Sequence, residues 1–265
     1  MNISLEHIGP MVIEAAQSTG AFIRHEAEAF DRSRIEQKSA FNNLVSYVDK
    51  ESERRLVSEL SKILPGSGFL AEEGTEQKGN TGYRWIIDPL DGTTNFTHGF
   101  PPYAVSIGLS FEDVLVLGVV YEVHAGECFY SWKGTPVFCN EKEVKVAATE
   151  RLSQSLLATG FPYQHQDKMD MHLSIFRELL YKTHGVRRPG SAATDLAYVA
   201  CGRLDGFFEY NLSPWDVAAG GFLVQQAGGM VTDFTGHDGW LYGGQICCGN
   251  AIHRDLLKTI QMLWK

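Results

Sequence analysis

Residues 85–99 read Trp-Ile-Ile-Asp-Pro-Leu-Asp-Gly-Thr-Thr-Asn-Phe-Thr-His-Gly, an apolar strand that ends in two carboxylates, a glycine turn and two hydroxyls. Asp88 and Asp91 repel each other unless a cation sits between them, and hard oxygen ligands this close together point to Mg²⁺ or a similar ion. Pro89 fixes the backbone between them and removes an amide donor. Gly92 permits close backbone approach, so the amides of Gly92 and Thr93 can face a phosphate at the start of a following helix, where the helix dipole also favours an anion. An ordinary Asp-Gly turn fits the same residues. The EF-hand pattern does not, because Leu90 and Gly92 occupy positions that need oxygen side chains.

Two further acidic sites stand at the ends of apolar stretches. Glu72-Glu73 follows Phe69-Leu70-Ala71, and Asp216 lies in Ser213-Pro214-Trp215-Asp216, the first turn of an expected helix. Taken singly, the first reads as a solvated loop edge and the second as a charge complementing the helix dipole. Taken together, side chains at the ends of apolar elements can converge on one cleft. Other motifs fall away. Residues 66–71, Gly-Ser-Gly-Phe-Leu-Ala, match a dinucleotide fingerprint in letters, but they follow a helix, open none, and are read as a turn. There is no phosphate loop of the Walker type, no Gly-x-Ser-x-Gly elbow and no His-Glu-x-x-His among the nine histidines. His98, near the loop, is read as structural or solvent-facing.

The elements that must hold these residues follow from periodicity. Leu5, Ile8, Val12 and Ala15 predict a first helix, and residues 32–39 a polar connector. A second helix begins near Asp49, carries Leu56, Leu60 and Ile63, and stops at Pro65-Gly66. Apolar runs at 104–109, 114–123 and 127–132 predict an antiparallel meander. The charged segment 141–151 has room for a short strand and is the expected boundary between a domain of residues 1–145 and one of 146–265. The second half reads as helices at 169–182, 192–201, 215–227 and 254–264 with strands at 206–209 and 230–233, an order that gives mixed layers of sheet and helix.

Composition narrows the function. With 23 basic and 32 acidic residues the net charge is -9, which disfavours a general nucleic-acid binder. A small anionic substrate stays compatible, because a bound metal reverses the local sign. The five cysteines show no Cys-x-x-Cys pair and read as free thiols in a reducing compartment. No basic region followed by an apolar one opens the chain, and the longest apolar run, 114–121, is far below the ~20 residues of a membrane helix. The expectation is a cytoplasmic protein with no membrane partner.

Residues 85–96 resemble the first signature of the inositol monophosphatases. Residues 215–221, Trp-Asp-Val-Ala-Ala-Gly-Gly, are similar to the second. Gly190-Ser191-Ala192-Ala193 and residues 202–209, Gly-Arg-Leu-Asp-Gly-Phe-Phe-Glu, also look like that family, and the resemblance covers nearly the whole chain in the family's order. It implies an α/β (α+β) fold, a layered α/β/α/β/α sandwich, usually as a homodimer. It implies Mg²⁺, two or three ions, on Glu72, Asp88, the main-chain carbonyl of Leu90, Asp91 and Asp216. Glu72 and Thr93 would orient the attacking water with Asp49 in support. Asp91, Gly92, Thr93, Thr94, Gly190, Ser191, Ala192, Glu209 and Asp216 would meet the substrate, with Lys38 at the mouth of the site. Ala71 departs from a glycine frequent before the glutamates, and residues 46–48 from a commoner Thr-containing approach to Asp49.

The activity implied is lithium-sensitive hydrolysis of a phosphomonoester, myo-inositol 1-phosphate, to inositol and phosphate. Thr94 favours it, since relatives acting on nucleotide 3′-phosphates or histidinol phosphate often carry lysine there. Fructose 1,6-bisphosphate and other sugar phosphates compete, because Arg187 and Arg188 can hold a second phosphate as well as pack a dimer interface. A catalytically silent regulatory or binding protein and a metal-storage module are the alternatives of another class, and the complete set of acidic ligands argues against silence.

Overall fold

Helix α1 (Leu5–Glu28) buries Ile8, Val12, Ala16 and Ile23 at helical spacing, and the hydroxyl of its N-cap Ser4 accepts from the His7 amide at 3.3 Å. These features are taken from a computed structural model that describes residues 3–30, 36, 37, 44–162 and 166–265. A short antiparallel ribbon pairs β1 (Glu36–Gln37), inside the expected connector, with β2 (Leu44–Val45), beyond it. Helix α2 (Tyr47–Ile63) starts from a capping box in which Ser46 and Asp49 satisfy each other's end of the helix. It stops at the Pro65-Gly66 pair, with Gly66 in the left-handed region at φ 83°.

The chain then lays down an eight-stranded sheet, with one helix inserted: β3 (Gly68–Ala71), β4 (Glu76–Gln77), β5 (Tyr83–Asp91), helix α3 (Thr93–His98), β6 (Ala104–Phe111), β7 (Val114–Glu122), β8 (Glu127–Trp132), β9 (Val137–Cys139) and β10 (Lys142–Val144). Their order is β10-β9-β8-β7-β6-β5-β3-β4, and only β3 and β5 run parallel. The expected meander is β6, β7 and β8. A second sheet of five strands has the order β12-β11-β13-β15-β14, from β11 (Leu156–Thr159), β12 (Gly185–Arg187), β13 (Gly206–Tyr210), β14 (Met230–Thr232) and β15 (Gln245–Gly249). Helices α4 (Met169–Lys182), α5 (Ala192–Ala200), α6 (Pro214–Gln226) and α7 (His253–Leu263) complete the chain.

Three apolar clusters follow the layers. One lies between α1, α2 and the large sheet, one between the two sheets around α5 and α6, and one between the small sheet and α4 with α7. The result is the α/β/α/β/α sandwich expected from the resemblance. The middle cluster joins Ala104, Val120 and Phe129 to Leu196, Val217 and Leu223, so residues on both sides of position 145 share it. Helix α6 is buried at every residue from 217 to 224, which explains its lack of a polar face. It sits close to the large sheet because Gly108 and Gly118 face each other across β6 and β7: a Cβ at Gly118 would lie 2.8 Å from the Ala219 carbonyl.

Two local expectations change. The strand before the acidic loop, whose apolar run reads as Tyr83 to Ile87 in the sequence, continues to Asp91 with a register shift. Asp88 pairs with Ser106 and Asp91 with Ala104, so Pro89 and Leu90 together oppose Val105 in a bulge where proline has no amide to donate. Residues 66–71 are not all turn, because Gly68–Ala71 form β3 beside β5, where a Cβ at Gly68 would lie 2.8 Å from the Gln77 carbonyl. All five cysteines are free thiols. No helix among the described residues is long and apolar enough to cross a membrane.

Candidate active site

The parallel register of β3 and β5 aligns Ala71 with Ile87, and so sets Glu72 beside Asp88 at the ends of two neighbouring strands. The bulge after Asp88 turns Asp91 toward the same side, and the close seating of α6 brings Asp216, its third residue, over both. One ligand atom from each of Asp88, Asp91 and Asp216 lies within 4.8 Å of the others. Glu72 lines the same cavity, of about 410 Å³, but stands outside that group of three. Leu90, Gly92, Thr93, Thr94, Gly190, Ser191, Ala192 and Glu209 line it as well.

Each of the three aspartates has one oxygen tied down. The Leu90 amide donates to Asp88 Oδ1 at 2.9 Å, and the Ser213 amide to Asp216 Oδ2 at 2.7 Å. Asp91 Oδ2 accepts from the Ser191 hydroxyl at 2.6 Å and the Ala193 amide at 2.8 Å, which bolts the loop to the amino end of α5. The second oxygen of each makes no hydrogen bond among the described residues. Acceptors without donors, held together on fixed stems, fit a hard cation such as Mg²⁺. The charge balance says the same. Burial, then repulsion from Glu72, Asp91 and Asp216, pushes the Asp88 carboxyl well above the usual range. Burial and the charges of Asp91 and Glu72 do the same to Asp216. Asp91 rises to about 6, chiefly by burial, held back by its bonds to Ser191 and Ala193.

Asp49 is placed behind the cavity wall. Its Oδ2 accepts from the amide and hydroxyl of Ser46 at 2.8 and 2.6 Å, and its Oδ1 accepts from the Thr93 hydroxyl at 2.8 Å. Burial lifts Asp49 to about 6 against those bonds. The Leu90 carbonyl lies 3.2 Å from the same hydroxyl. Gly92, at φ 94°, caps α3 in the left-handed region and lets the backbone turn from strand to helix under the cavity. At the opposite wall Glu209 is driven up to about 8 by burial, offset by Arg188. Gly160 leaves room for it: a Cβ there would stand 2.1 Å from Glu209 Oε2. His98 is exposed and does not line the cavity. Lys38 lies outside the described residues.

Several contributors were not evident in the sequence. Asp195 lines the cavity although it is 1% exposed. Glu53, which looks like part of the charged face of α2, is buried and accepts from the amides of Glu73 and Thr75 at 2.7 and 3.0 Å, holding the turn that carries Glu72. Asn95 donates to the carbonyls of Pro102 and Pro189, both at 2.8 Å, fastening α3 to the segment before Gly190. Its place directly after Thr93-Thr94 was the available signal. Arg188, named from the sequence for a second phosphate or an interface, lines the cavity and is exposed.

Comparison with known proteins agrees with this geometry. The chain is similar to the putative Nus factor SuhB of Neisseria meningitidis serogroup B, 44% identical over 249 residues, 93% of this chain and 95% of the relative. It is 39% identical over 253 residues to an inositol-1-monophosphatase of Mesorhizobium japonicum, covering 95% of each. The crystal structure of the extragenic suppressor protein suhB from Bartonella henselae matches with a TM-score of 0.91 at 37% identity, over 96% of this chain and 98% of that one. A family model described as the inositol monophosphatase family matches residues 4–265. Strand-end carboxylates, capping helices and whole-chain similarity lead to one statement: the chain belongs to the inositol monophosphatase family.

Proposed function

We propose that the chain is a Mg²⁺-dependent phosphomonoesterase that hydrolyses an inositol monophosphate, myo-inositol 1-phosphate, to inositol and phosphate. The observation that carries this reading is the convergence of Asp88, Asp91 and Asp216 within 4.8 Å, each with an oxygen that accepts no hydrogen bond among the described residues. Family membership supports a phosphatase of this fold, and the family is Mg²⁺-dependent in general. Phosphomonoester hydrolysis has one of the highest known uncatalysed barriers. Mg²⁺ supplies neutralisation of phosphate charge and acidification of water.

The protein's own groups divide the remaining work. Glu72, Asp88, the Leu90 carbonyl, Asp91 and Asp216 hold the cation or cations. Thr93 donates its hydroxyl proton to Asp49 Oδ1 at 2.8 Å, with the Leu90 carbonyl at 3.2 Å, which leaves the Thr93 oxygen to act as an acceptor. With the Glu72 carboxylate it orients the attacking water, and Asp49 fixes Thr93 in place. Gly92, Thr93 and Thr94 form the floor for the phosphate. Gly190, Ser191, Ala192 and Glu209 meet the hydroxyls of the leaving alcohol, and Lys38 keeps the role that the resemblance implies for it. A homodimer accompanies this reading.

The test is phosphate release with Mg²⁺ from myo-inositol 1-phosphate, fructose 1,6-bisphosphate, a nucleoside 3′,5′-bisphosphate and histidinol phosphate. Preference for the first supports the proposal; preference for fructose 1,6-bisphosphate would shift it to the sugar-phosphate reading and give Arg188 the second phosphate. The name of the Neisseria relative motivates a second reading, a protein whose role is to bind a partner. Inactivity on all four substrates, with Mg²⁺ still raising the melting temperature, would favour it.

A further inference from the structure

Asp195 has no part in the reading above. It sits in the first turn of α5, is 1% exposed, and lines the cavity beside Glu209 and Arg188. Its Oδ1 is sealed from solvent without a hydrogen-bond partner; its Oδ2 is not sealed, stands at the cavity wall, and likewise forms no hydrogen bond or ion pair among the described residues. The N-cap of its own helix does not serve it, because the Ser191 hydroxyl is engaged with Asp91 at 2.6 Å and Thr194 at 2.8 Å. An acid in a first turn ordinarily complements the helix dipole at the surface. This one is inside, where a carboxyl oxygen lacking a donor is costly and apolar residues of similar shape would not be.

We propose that Asp195 is a substrate-binding residue that hydrogen-bonds a hydroxyl of the leaving alcohol, so that Asp195 and Glu209 together select polyhydroxylated leaving groups. The proposal rests on the phosphomonoesterase reading. The sealed Oδ1 is out of a ligand's reach; Oδ2, on the cavity wall and unsatisfied by the described residues, is the oxygen that a ligand hydroxyl can satisfy. A site built to bond a substrate hydroxyl discriminates strongly against a substrate that lacks it, because its own polar group is then left orphaned. Burial holds the Asp195 carboxyl well above its ordinary range, helped by the charges of Glu209 and Asp91 and opposed by Arg188.

The experiment compares myo-inositol 1-phosphate with p-nitrophenyl phosphate, whose leaving group carries no free hydroxyl, in the Mg²⁺-loaded wild type and in Asp195→Leu and Asp195→Ala. Leucine keeps the branched shape without the polar atoms, and alanine removes any clash. The expected result is a loss of about tenfold or more in kcat/KM for the inositol phosphate, mainly through KM, with p-nitrophenyl phosphate changed by less than about twofold. Asp195→Leu is expected to melt at a higher temperature than the wild type, since the orphaned oxygen is gone. Equal loss on both substrates, or no loss on either, in whichever variant folds would overturn the proposal. A wild type that does not prefer the inositol phosphate would overturn it too. A wild type inactive on both substrates is a different result, which removes the phosphomonoesterase reading itself.

Discussion

At Asp91 the two carboxyl oxygens differ: Oδ2 is anchored to Ser191 and Ala193, and Oδ1 accepts no hydrogen bond among the described residues. Asp91→Asn can keep its carbonyl oxygen on those donors, which turns its amide nitrogen, a donor, toward the place where an acceptor is needed. The variant is expected to fold, to melt higher than the wild type without Mg²⁺ because repulsion falls, and to lose phosphate release by about 100-fold or more, equal to about 2.7 kcal/mol of transition-state stabilisation. Near-normal turnover would remove Asp91 from the proposed ligand set. His172 gives a separate pH signal. Burial drives it down to about 4, and its Nε2 stands 2.9 Å from the Gly160 carbonyl on the cavity wall. Between that value and the ordinary 6.5 the unfolded chain binds more protons than the folded one, so stability from this residue rises with pH through the window and is complete above it. The limit is about 3 kcal/mol. The raised carboxylates act in the opposite sense, so the check is the difference in unfolding free energy between wild type and His172→Gln, measured from pH 4 to 7; a flat difference would contradict it. At this scale Asp88 and Asp91 were legible because two acids so close at a strand end repel each other without a cation, and Asp216 only because it stands with them and Glu72 at the ends of apolar elements. Asp195 and Glu53 were not, because a first-turn acid and a charged helix face look the same in sequence whether buried or solvated.

The elements owe their geometry to small residues and caps. Ser46-Asp49 and Ser213-Asp216 are both capping boxes, so in each case the acid that starts a helix also serves the site: Asp216 directly and Asp49 through Thr93. Gly118 fixes the height of α6 above the sheet. A methyl there must move backbone, because the nearest atom is the Ala219 carbonyl at 2.8 Å. Gly118→Ala is expected to destabilise the protein by about 1–3 kcal/mol and to weaken Mg²⁺ binding, measured as a smaller Mg²⁺-induced rise in melting temperature. An unchanged rise would mean that the seam has no bearing on Asp216. Periodicity revealed the long elements, including α4 at its observed limits. It missed β11, β12 and β15, which are three to five residues long and too short to show a period against helix. It stopped β5 at Ile87 because a bulge built on proline looks like the end of a strand.

In the whole molecule, the site is assembled from segments at 49, 72, 88–93, 188–195 and 209–216, drawn from both sheets. The proposed boundary at 145/146 falls between β10 and β11, where the chain passes from one sheet to the other, yet the middle layer needs residues from each side. A fragment of residues 1–145 is therefore expected to lack cooperative unfolding and to expose apolar surface, observable by dye binding; a sharp melting transition would show an independent domain. The order of elements pointed to mixed layers of sheet and helix, but the α/β/α/β/α stacking was legible only through the resemblance, since neither sheet order nor the burial of α6 follows from local pattern. That burial has a kinetic consequence. With residues 217–224 enclosed between two sheets, no local fraying reaches them, and the α6 amides should exchange with deuterated solvent together, at the rate set by opening of the entire chain. Helix α7, with one face on solvent, should release its amides earlier and piecemeal. Mg²⁺ should slow the α6 set, making one helix a clock for how seldom the protein comes apart.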